Sequence, residues 1–313
     1  MTRAYVFPGQ GAQTIGMGRA LADAYPAARA VFDEVDAALG ENLSALIWEG
    51  DQDALTLTEN AQPALMATSI AAMRALEAEG IHVTDAAFVA GHSLGEYSAL
   101  CAAGALTLSD TARLLRIRGR TMQDAVPVGV GAMAALLGLD FATAQSVALE
   151  AASATEICQA ANDNDPAQVV VSGHRAAVER AVEIAKTRGA KRALLLPVSA
   201  PFHCALMAPA ADAMAAALDA VAIATPRVPV VANVRAAAVT DPALIRALLV
   251  EQVTGSVRWR ESVMFMAEHG VTEAWEIGAG KALSGMIRRI AKDIDCRAVG
   301  TPDDIAAALA TKA

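Results

Sequence analysis

The sequence predicts an α/β fold: a large domain on a mostly parallel sheet, interrupted by a small ferredoxin-like domain. Three observations predict it. The pattern G-x-S-x-G, here Gly91-His92-Ser93-Leu94-Gly95, lies between an apolar stretch and a helix-like run. Residues 132–197 read strand, helix, strand, strand, helix, strand, which is the split βαβ order. Strand–helix alternation then resumes, so this unit reads as an insert. The expected boundaries are 1–127 and 199–313 for the large domain and 128–198 for the small one.

Each element has a local reason. Residues 4–7 are an apolar run ended by Pro8-Gly9-Gln10-Gly11, as a buried strand would be. Helical patterns cover 18–39, with Pro26 opening a new segment. A long helix is expected over 62–79, capped near Asn60 and stopped at Gly80. The stretch 86–90 is a strand and 94–103 a helix, with Ser93 on the turn between. Ser109-Asp110 reads as the cap of a helix carrying Arg113, Arg116, Arg118 and Arg120. In the small domain, strands are expected at 132–137, 157–160, 168–171 and 192–196, and helices at 141–152 and 176–188. Further strands at 228–231, 273–277 and 297–299, with helices filling most gaps, point to a largely parallel main sheet.

Bulk properties exclude several classes. The chain has 313 residues, 55% of them hydrophobic, spread in short Ala- and Val-rich runs. No stretch approaches the roughly 20 apolar residues that span a bilayer. The opening Met1-Thr2-Arg3-Ala4-Tyr5-Val6-Phe7-Pro8 lacks the layout of a signal peptide. Cys101, Cys158, Cys204 and Cys296 are widely spaced, as free thiols in a reducing compartment would be. The expectation is a soluble cytoplasmic protein, with nothing demanding more than a monomer. A net charge of −9 argues against nucleic acid as a main partner. Two local basic clusters stand out: Lys186, Arg188, Lys191 and Arg192, and Arg288, Arg289 and Lys292. They are either solvated faces or docking sites for an acidic partner.

Chemistry centres on Ser93. Glycines at 91 and 95 relieve the crowding of a sharp turn that lifts the hydroxyl clear of the sheet. The N–H of Leu94 opens a helix and points where an oxyanion would form, and the loop at Gln10 offers a second donor. A serine needs a base, most often histidine. His82 lies in a loop, His174 caps a helix, and His269 ends one beside Gly270. His92 adjoins the nucleophile, either packing beneath the turn or touching substrate. His203, in Pro201-Phe202-His203-Cys204, lies after a strand and downstream of the serine, and is either the base or a structural histidine. An acid to orient it does not stand out: Asp163 and Asp165 belong to the inserted unit and Asp212 lies downstream, so a backbone or amide carbonyl is the alternative partner. One of the four helix arginines would serve an acyl pocket by holding a carboxylate in its planar fork, but periodicity does not say which. The loop from Gly9 to Gly16 fails the dinucleotide pattern at Thr14, and Gly278-Ala279-Gly280-Lys281-Ala282 fails the P-loop pattern at Trp275 and Ala282.

Together these segments resemble the malonyl-CoA:acyl-carrier-protein transacylase family over essentially the whole chain. The resemblance is carried by Phe7-Pro8-Gly9-Gln10-Gly11, Gln62-Pro63-Ala64-Leu65, Gly91-His92-Ser93-Leu94-Gly95-Glu96-Tyr97, Arg118-Gly119-Arg120-Thr121-Met122-Gln123, Pro201-Phe202-His203-Cys204-Ala205-Leu206-Met207 and Gly278-Ala279-Gly280-Lys281. It implies that Ser93 is the nucleophile and His203 its base, with backbone amides of Gln10 and Leu94 as the oxyanion hole. Arg118 would pair with the free carboxylate of malonate, and His92 would line the substrate site. The main-chain carbonyl of Gln252 would orient His203 in place of an acid, although Val253-Thr254-Gly255-Ser256-Val257 beside it is less typical of the family. Phe202, just before the histidine, would disfavour a methyl-branched acyl group. The implied fold is an α/β-hydrolase-like large domain with a ferredoxin-like insert. The implied activity is ping-pong malonyl transfer from malonyl-CoA to acyl carrier protein for fatty-acid synthesis, with no cofactor or metal. The rival in another class is a serine esterase or thioesterase; a polyketide or malonate-decarboxylase transacylase would share the chemistry.

Overall fold

A computed structural model describes residues 2–310. Strand β1 (Arg3–Phe7) leads into α1 (Arg19–Ala24), α2 (Pro26–Leu39), α3 (Leu43–Glu49), α4 (Gln52–Thr56) and α5 (Thr58–Ala78). Strand β2 (Phe88–Gly91) turns sharply into α6 (Gly95–Ala102), followed by α7 (Leu108–Asp124). Next come β3 (Gly131–Leu137), α8 (Phe141–Ala151), β4 (Cys158–Asp165), β5 (Gln168–His174), α9 (Arg175–Thr187) and β6 (Arg192–Leu195). The chain closes with α10 (Ala208–Asp219), β7 (Val230–Ala232), β8 (Ala237–Val239), α11 (Pro242–Thr254), α12 (Trp259–Glu268), β9 (Glu273–Ile277), α13 (Ala282–Ile290), β10 (Asp295–Val299) and α14 (Pro302–Ala310).

The strands form two sheets. The larger has the order β10-β9-β1-β2-β7-β8, parallel except for the antiparallel edge pair β7–β8. Its central strands β1, β2 and β7 are near-continuous apolar runs, as burial on both faces requires. The smaller is antiparallel, in the order β4-β5-β3-β6. It has its own apolar core, in which Leu136, Val169 and Val171 meet Val147 of α8 and Val178 of α9. Strand β4 ties the sheets together. Asp163 accepts from Arg260 of α12 at 3.0 and 3.1 Å, and Asp165 from Arg289 of α13 at 2.7 Å. Both aspartates are buried, so neither is free to orient His203.

Several local expectations are corrected. Helix α5 starts at Thr58 rather than 62, so Pro63 lies inside it and Asn60 is not its cap. A proline there removes the N–H that the carbonyl of residue i−4 would accept. That carbonyl, on Glu59, instead accepts from Arg116 Nη1 at 2.7 Å. The cap of α7 is Thr107, not Ser109: its hydroxyl accepts from Asp110 N and donates to the Asp110 carboxylate, a reciprocal arrangement. Strand β4 runs to Asp165, well past 160, through a bulged Asn-Asp-Asn-Asp stretch of low strand propensity. The loop before α13 holds no phosphate cradle, because the buried Glu276 carboxylate already accepts from Leu283 N and Ser284 N.

Among the described residues no helix is long and apolar enough to cross a membrane. All four cysteines are free and buried.

Candidate active site

The site forms where the parallel strands end, the usual position for a ligand in an open α/β sheet. Ser93 follows β2 directly, in the left-handed region at φ 53°. That conformation costs a non-glycine residue about 1–3 kcal/mol and persists only when the surroundings fix it. The flanking glycines are sterically required. A Cβ at Gly91 would lie 1.9 Å from the Gly95 carbonyl carbon, and one at Gly95 would lie 2.2 Å from Phe7 O. Hydrogen bonds complete the restraint. Ser93 N donates to Asn233 Oδ1 at 2.8 Å, Asn233 Nδ2 donates to Gly91 O at 2.7 Å, and Gln252 Nε2 donates to Ser93 O at 3.0 Å.

His203 Nε2 lies 2.7 Å from Ser93 Oγ, and its Nδ1 lies 2.9 Å from the main-chain carbonyl of Gln252. The tautomer follows from the partners. A carbonyl can only accept, so Nδ1 carries the proton and Nε2 presents a lone pair to the serine hydroxyl. Burial, and then the nearby Arg118 charge, push the His203 pKa down to about 3, against the opposing pull of the Gln252 carbonyl. The resting imidazole is therefore neutral. His203 itself has a left-handed backbone, φ 57°, so both side chains of the serine–histidine pair are held on strained positions.

Arg118 is 1% exposed. Its Nη1 donates to Gln62 Oε1 at 2.7 Å, and its Nη2 donates to Ser93 Oγ at 3.1 Å and Gln252 Oε1 at 2.9 Å. All three acceptors are neutral, and no described carboxylate forms an ion pair with it. Burial lowers its pKa. Of the four helix arginines, Arg113 and Arg120 are exposed. Arg116 is buried but turned to Glu41 and Asn60, so Arg118 alone reaches the serine.

Ser93, Arg118 and His203 share a cavity of about 520 Å³ with His92, Phe202 and Gln10. Leu94, also in its wall, begins the turn into α6. The loop carrying Gln10 lies directly over the elbow: a Cβ on Gly9 would come within 2.7 Å of His92 O. His92 reaches sideways, its Nε2 2.8 Å from Asn164 Oδ1 on β4, and burial lowers its pKa. Gln252 is fully buried beneath the cavity and contributes its carbonyl and its side chain separately. The other histidines lie elsewhere: His174 Nδ1 accepts from Ile157 N, His269 bonds Phe265 O, and His82 lies in an exposed turn.

Sequence reasoning missed Asn233 and Glu96, and assigned no part to Gln62. Asn233 follows the C-terminal end of β7, and a polar residue at that edge of a parallel sheet is the signal that would have found it. Glu96 stands three residues after the serine in a helix otherwise made of small and apolar residues.

Residues 4–301 match the acyl transferase domain family. A malonyl CoA-acyl carrier protein transacylase of Bacillus subtilis (strain 168) is 47% identical over 308 residues, 98% of this chain and 96% of the relative. The chain belongs to the malonyl-CoA:acyl-carrier-protein transacylase family. Its fold is shared with the acyl-carrier-protein S-malonyltransferase of Bartonella henselae, at a TM-score of 0.97 and 56% identity over 99% of both chains. It is also shared with a malonyl-transacylase solved in complex with its type II PKS acyl-carrier protein, at a TM-score of 0.96 and 42% identity, covering 99% of this chain and 100% of that one.

Proposed function

We propose that the chain moves the malonyl group of malonyl-CoA to the phosphopantetheine thiol of an acyl carrier protein, supplying fatty-acid synthesis in the cytoplasm. The observation that carries this reading is the placing of Arg118, a buried guanidinium with only neutral partners, against the oxygen of a serine–histidine pair. A hydrolase of simple esters has no use there for a buried cation whose hydrogen-bond acceptors are all neutral.

The geometry supports the following steps. Ser93 Oγ–H gives its proton to His203 Nε2 as the oxygen attacks the thioester carbonyl. The imidazolium keeps its Nδ1–H on the Gln252 carbonyl, which does the orienting work of the missing acid. The developing oxyanion faces the backbone N–H groups of Leu94 and Gln10. CoA thiolate leaves with the proton from His203, and the malonyl-serine ester remains. The pantetheine thiol of the carrier then surrenders its proton to His203 and attacks the ester, restoring Ser93. Arg118 holds the malonate carboxylate throughout, and Phe202 crowds the space that a branching methyl would need.

The small unit, with two helices on one face of a sheet ordered β4-β5-β3-β6, supports a ferredoxin-like insert at 128–198. The elbow and the parallel sheet support an α/β-hydrolase-like domain around it. The insert forms the second wall of the cleft, through Met133, Asn162 and Asn164.

The test is a transfer assay with labelled malonyl-CoA and a carrier protein, beside Ser93→Ala. Without carrier, mass spectrometry should find a persistent malonyl increment on the peptide containing Ser93, absent in the variant. Rapid release of free malonate instead would make the protein a hydrolase. The neighbour bound to a type II PKS carrier supports a polyketide carrier as the second reading. Comparison of kcat/KM for the two kinds of carrier separates them.

Carrier docking is narrowed by the ion pairs. Lys186 is paired with Glu183, Arg188 with Glu150 and Arg289 with Asp165. Lys191 and Arg192, at the start of the strand that runs on to the cleft-lining Leu196, are exposed and, like Lys292 of the second cluster, form no ion pair among the described residues. Reversing both charges, Lys191→Glu with Arg192→Glu, should raise the KM for carrier about tenfold and leave malonyl-CoA kinetics alone. An unchanged carrier KM would eliminate this patch.

A further inference from the structure

The buried polar cluster beneath the elbow contains one ionisable residue that the acyl-transfer steps do not use. Glu96 lies in the first turn of α6 and is 3% exposed. Its Oε2 accepts from Asn233 N at 3.0 Å and from Gln252 Nε2 at 2.8 Å. The same Gln252 nitrogen is also 3.0 Å from Ser93 O and 3.3 Å from Asn233 Oδ1. Three oxygens thus converge on one amide nitrogen. A flipped Gln252 would set its own oxygen against all three and its NH2 against a guanidinium. The amide therefore has one usable orientation, in which Oε1 faces Arg118 Nη2 at 2.9 Å.

We propose that Glu96 is a positioning residue for acyl selection: acting through the side chain of Gln252, it fixes the direction in which Arg118 presents its fork to the acyl pocket. The inference rests on the reading of Arg118 as the partner of the acyl carboxylate. Gln252 then has two separable tasks. Its carbonyl orients the base, and its side chain carries the restraint from Glu96 to Arg118. Shortening the residue at 96 withdraws the shortest of the three acceptors from Gln252 Nε2 and loosens the amide, which keeps only Ser93 O at 3.0 Å and Asn233 Oδ1 at 3.3 Å, while the bonds between Ser93, His203 and the Gln252 carbonyl remain. Burial pushes the Glu96 carboxyl up to about 7, against the N–H groups and the Arg118 charge that favour its charged form. What the clamp requires is an oxygen at this reach, which a neutral amide also supplies.

Two conservative variants test this, read as the ratio of kcat/KM for malonyl-CoA to that for acetyl-CoA, with thermal melting alongside. Glu96→Asp keeps the charge and loses the reach; Glu96→Gln keeps the reach and loses the charge. The ratio should fall at least ~10-fold in Glu96→Asp, through the malonyl arm, and stay within about 2-fold of the parent in Glu96→Gln. A ratio lost in Glu96→Gln but kept in Glu96→Asp would overturn the proposal in favour of a charge effect. Equal losses in both substrates, or no change, would leave Glu96 a structural cap of the Asn233 backbone. Arg118→Ala in the same series separates the two ideas. If it shifts the ratio and Glu96→Asp does not, only the positioning role falls; if neither does, the reading of Arg118 falls with it.

Discussion

Replacing His203 with alanine should slow malonyl transfer by on the order of 10⁴- to 10⁶-fold, with Ser93→Ala no worse and the double variant little different from either. The serine hydroxyl lies 2.7 Å from the only imidazole in the cavity able to take its proton, since His92 is turned toward Asn164. Residual activity would come from the oxyanion donors and from binding alone. The same residue predicts an unusual acid limb. An ordinary histidine near 6.5 is about 97% protonated at pH 5, which would cost roughly 30-fold in rate. His203, pushed down to about 3 by burial and the Arg118 charge, stays neutral there, so single-turnover acylation by malonyl-CoA should persist to pH 5. The sign for stability is the opposite of a benefit in acid. An unfolded chain takes up this proton below about 6.5 and the folded one does not, so this residue's contribution falls as pH drops from 6.5 toward 3. An acylation midpoint at 6.5 would sink the assignment of an isolated neutral base.

The legible parts of this molecule are those where backbone geometry restricts residue type. The elbow at Ser93 could be found because no Cβ fits at 91 or 95. The strands of the main sheet could be found because burial on both faces leaves runs such as Tyr5-Val6-Phe7. The partner of His203 is a main-chain carbonyl, which leaves no trace in residue type, and only the family resemblance pointed to Gln252. Arg118 was undecidable from amphipathicity because α7 packs against α2, α5 and α10, burying Arg116 as well as Arg118. Strand β4 was truncated for a related reason. Its Asn-Asp-Asn-Asp run has the composition of a turn, and it becomes a buried strand through pairing with β5, a bond to Val257 and the arginines of α12 and α13, the last three far away in sequence. Long-range partners decided each of these, and local pattern cannot supply them.

Arg118→Ala should cut malonyl transfer by about 10²- to 10³-fold while sparing or raising acetyl transfer. The loss follows from what the variant buries: the malonate carboxylate would enter a desolvated pocket without its bidentate partner, and an uncompensated buried charge costs on the order of 3–5 kcal/mol. Acetyl has no carboxylate and loses nothing of that kind. It gains in two ways. In the parent enzyme an acetyl group leaves the guanidinium enclosed with only neutral partners, a penalty the variant removes. The Arg118 charge also depresses the basicity of His203, and both groups address the same Ser93 oxygen. Removing the charge lets the imidazole take the serine proton more readily. On the proposed reading, malonate would bring a similar relief to the parent by neutralising Arg118 as it binds, so the correct acyl group would improve the base that activates Ser93 against it. Steady-state kcat/KM for malonyl-CoA and acetyl-CoA, measured side by side on parent and variant, checks both arms. Volume-conserving Arg118→Met guards against collapse of the cavity. Equal losses for both substrates in both variants would mean that Arg118 supports the elbow rather than selecting the acyl group.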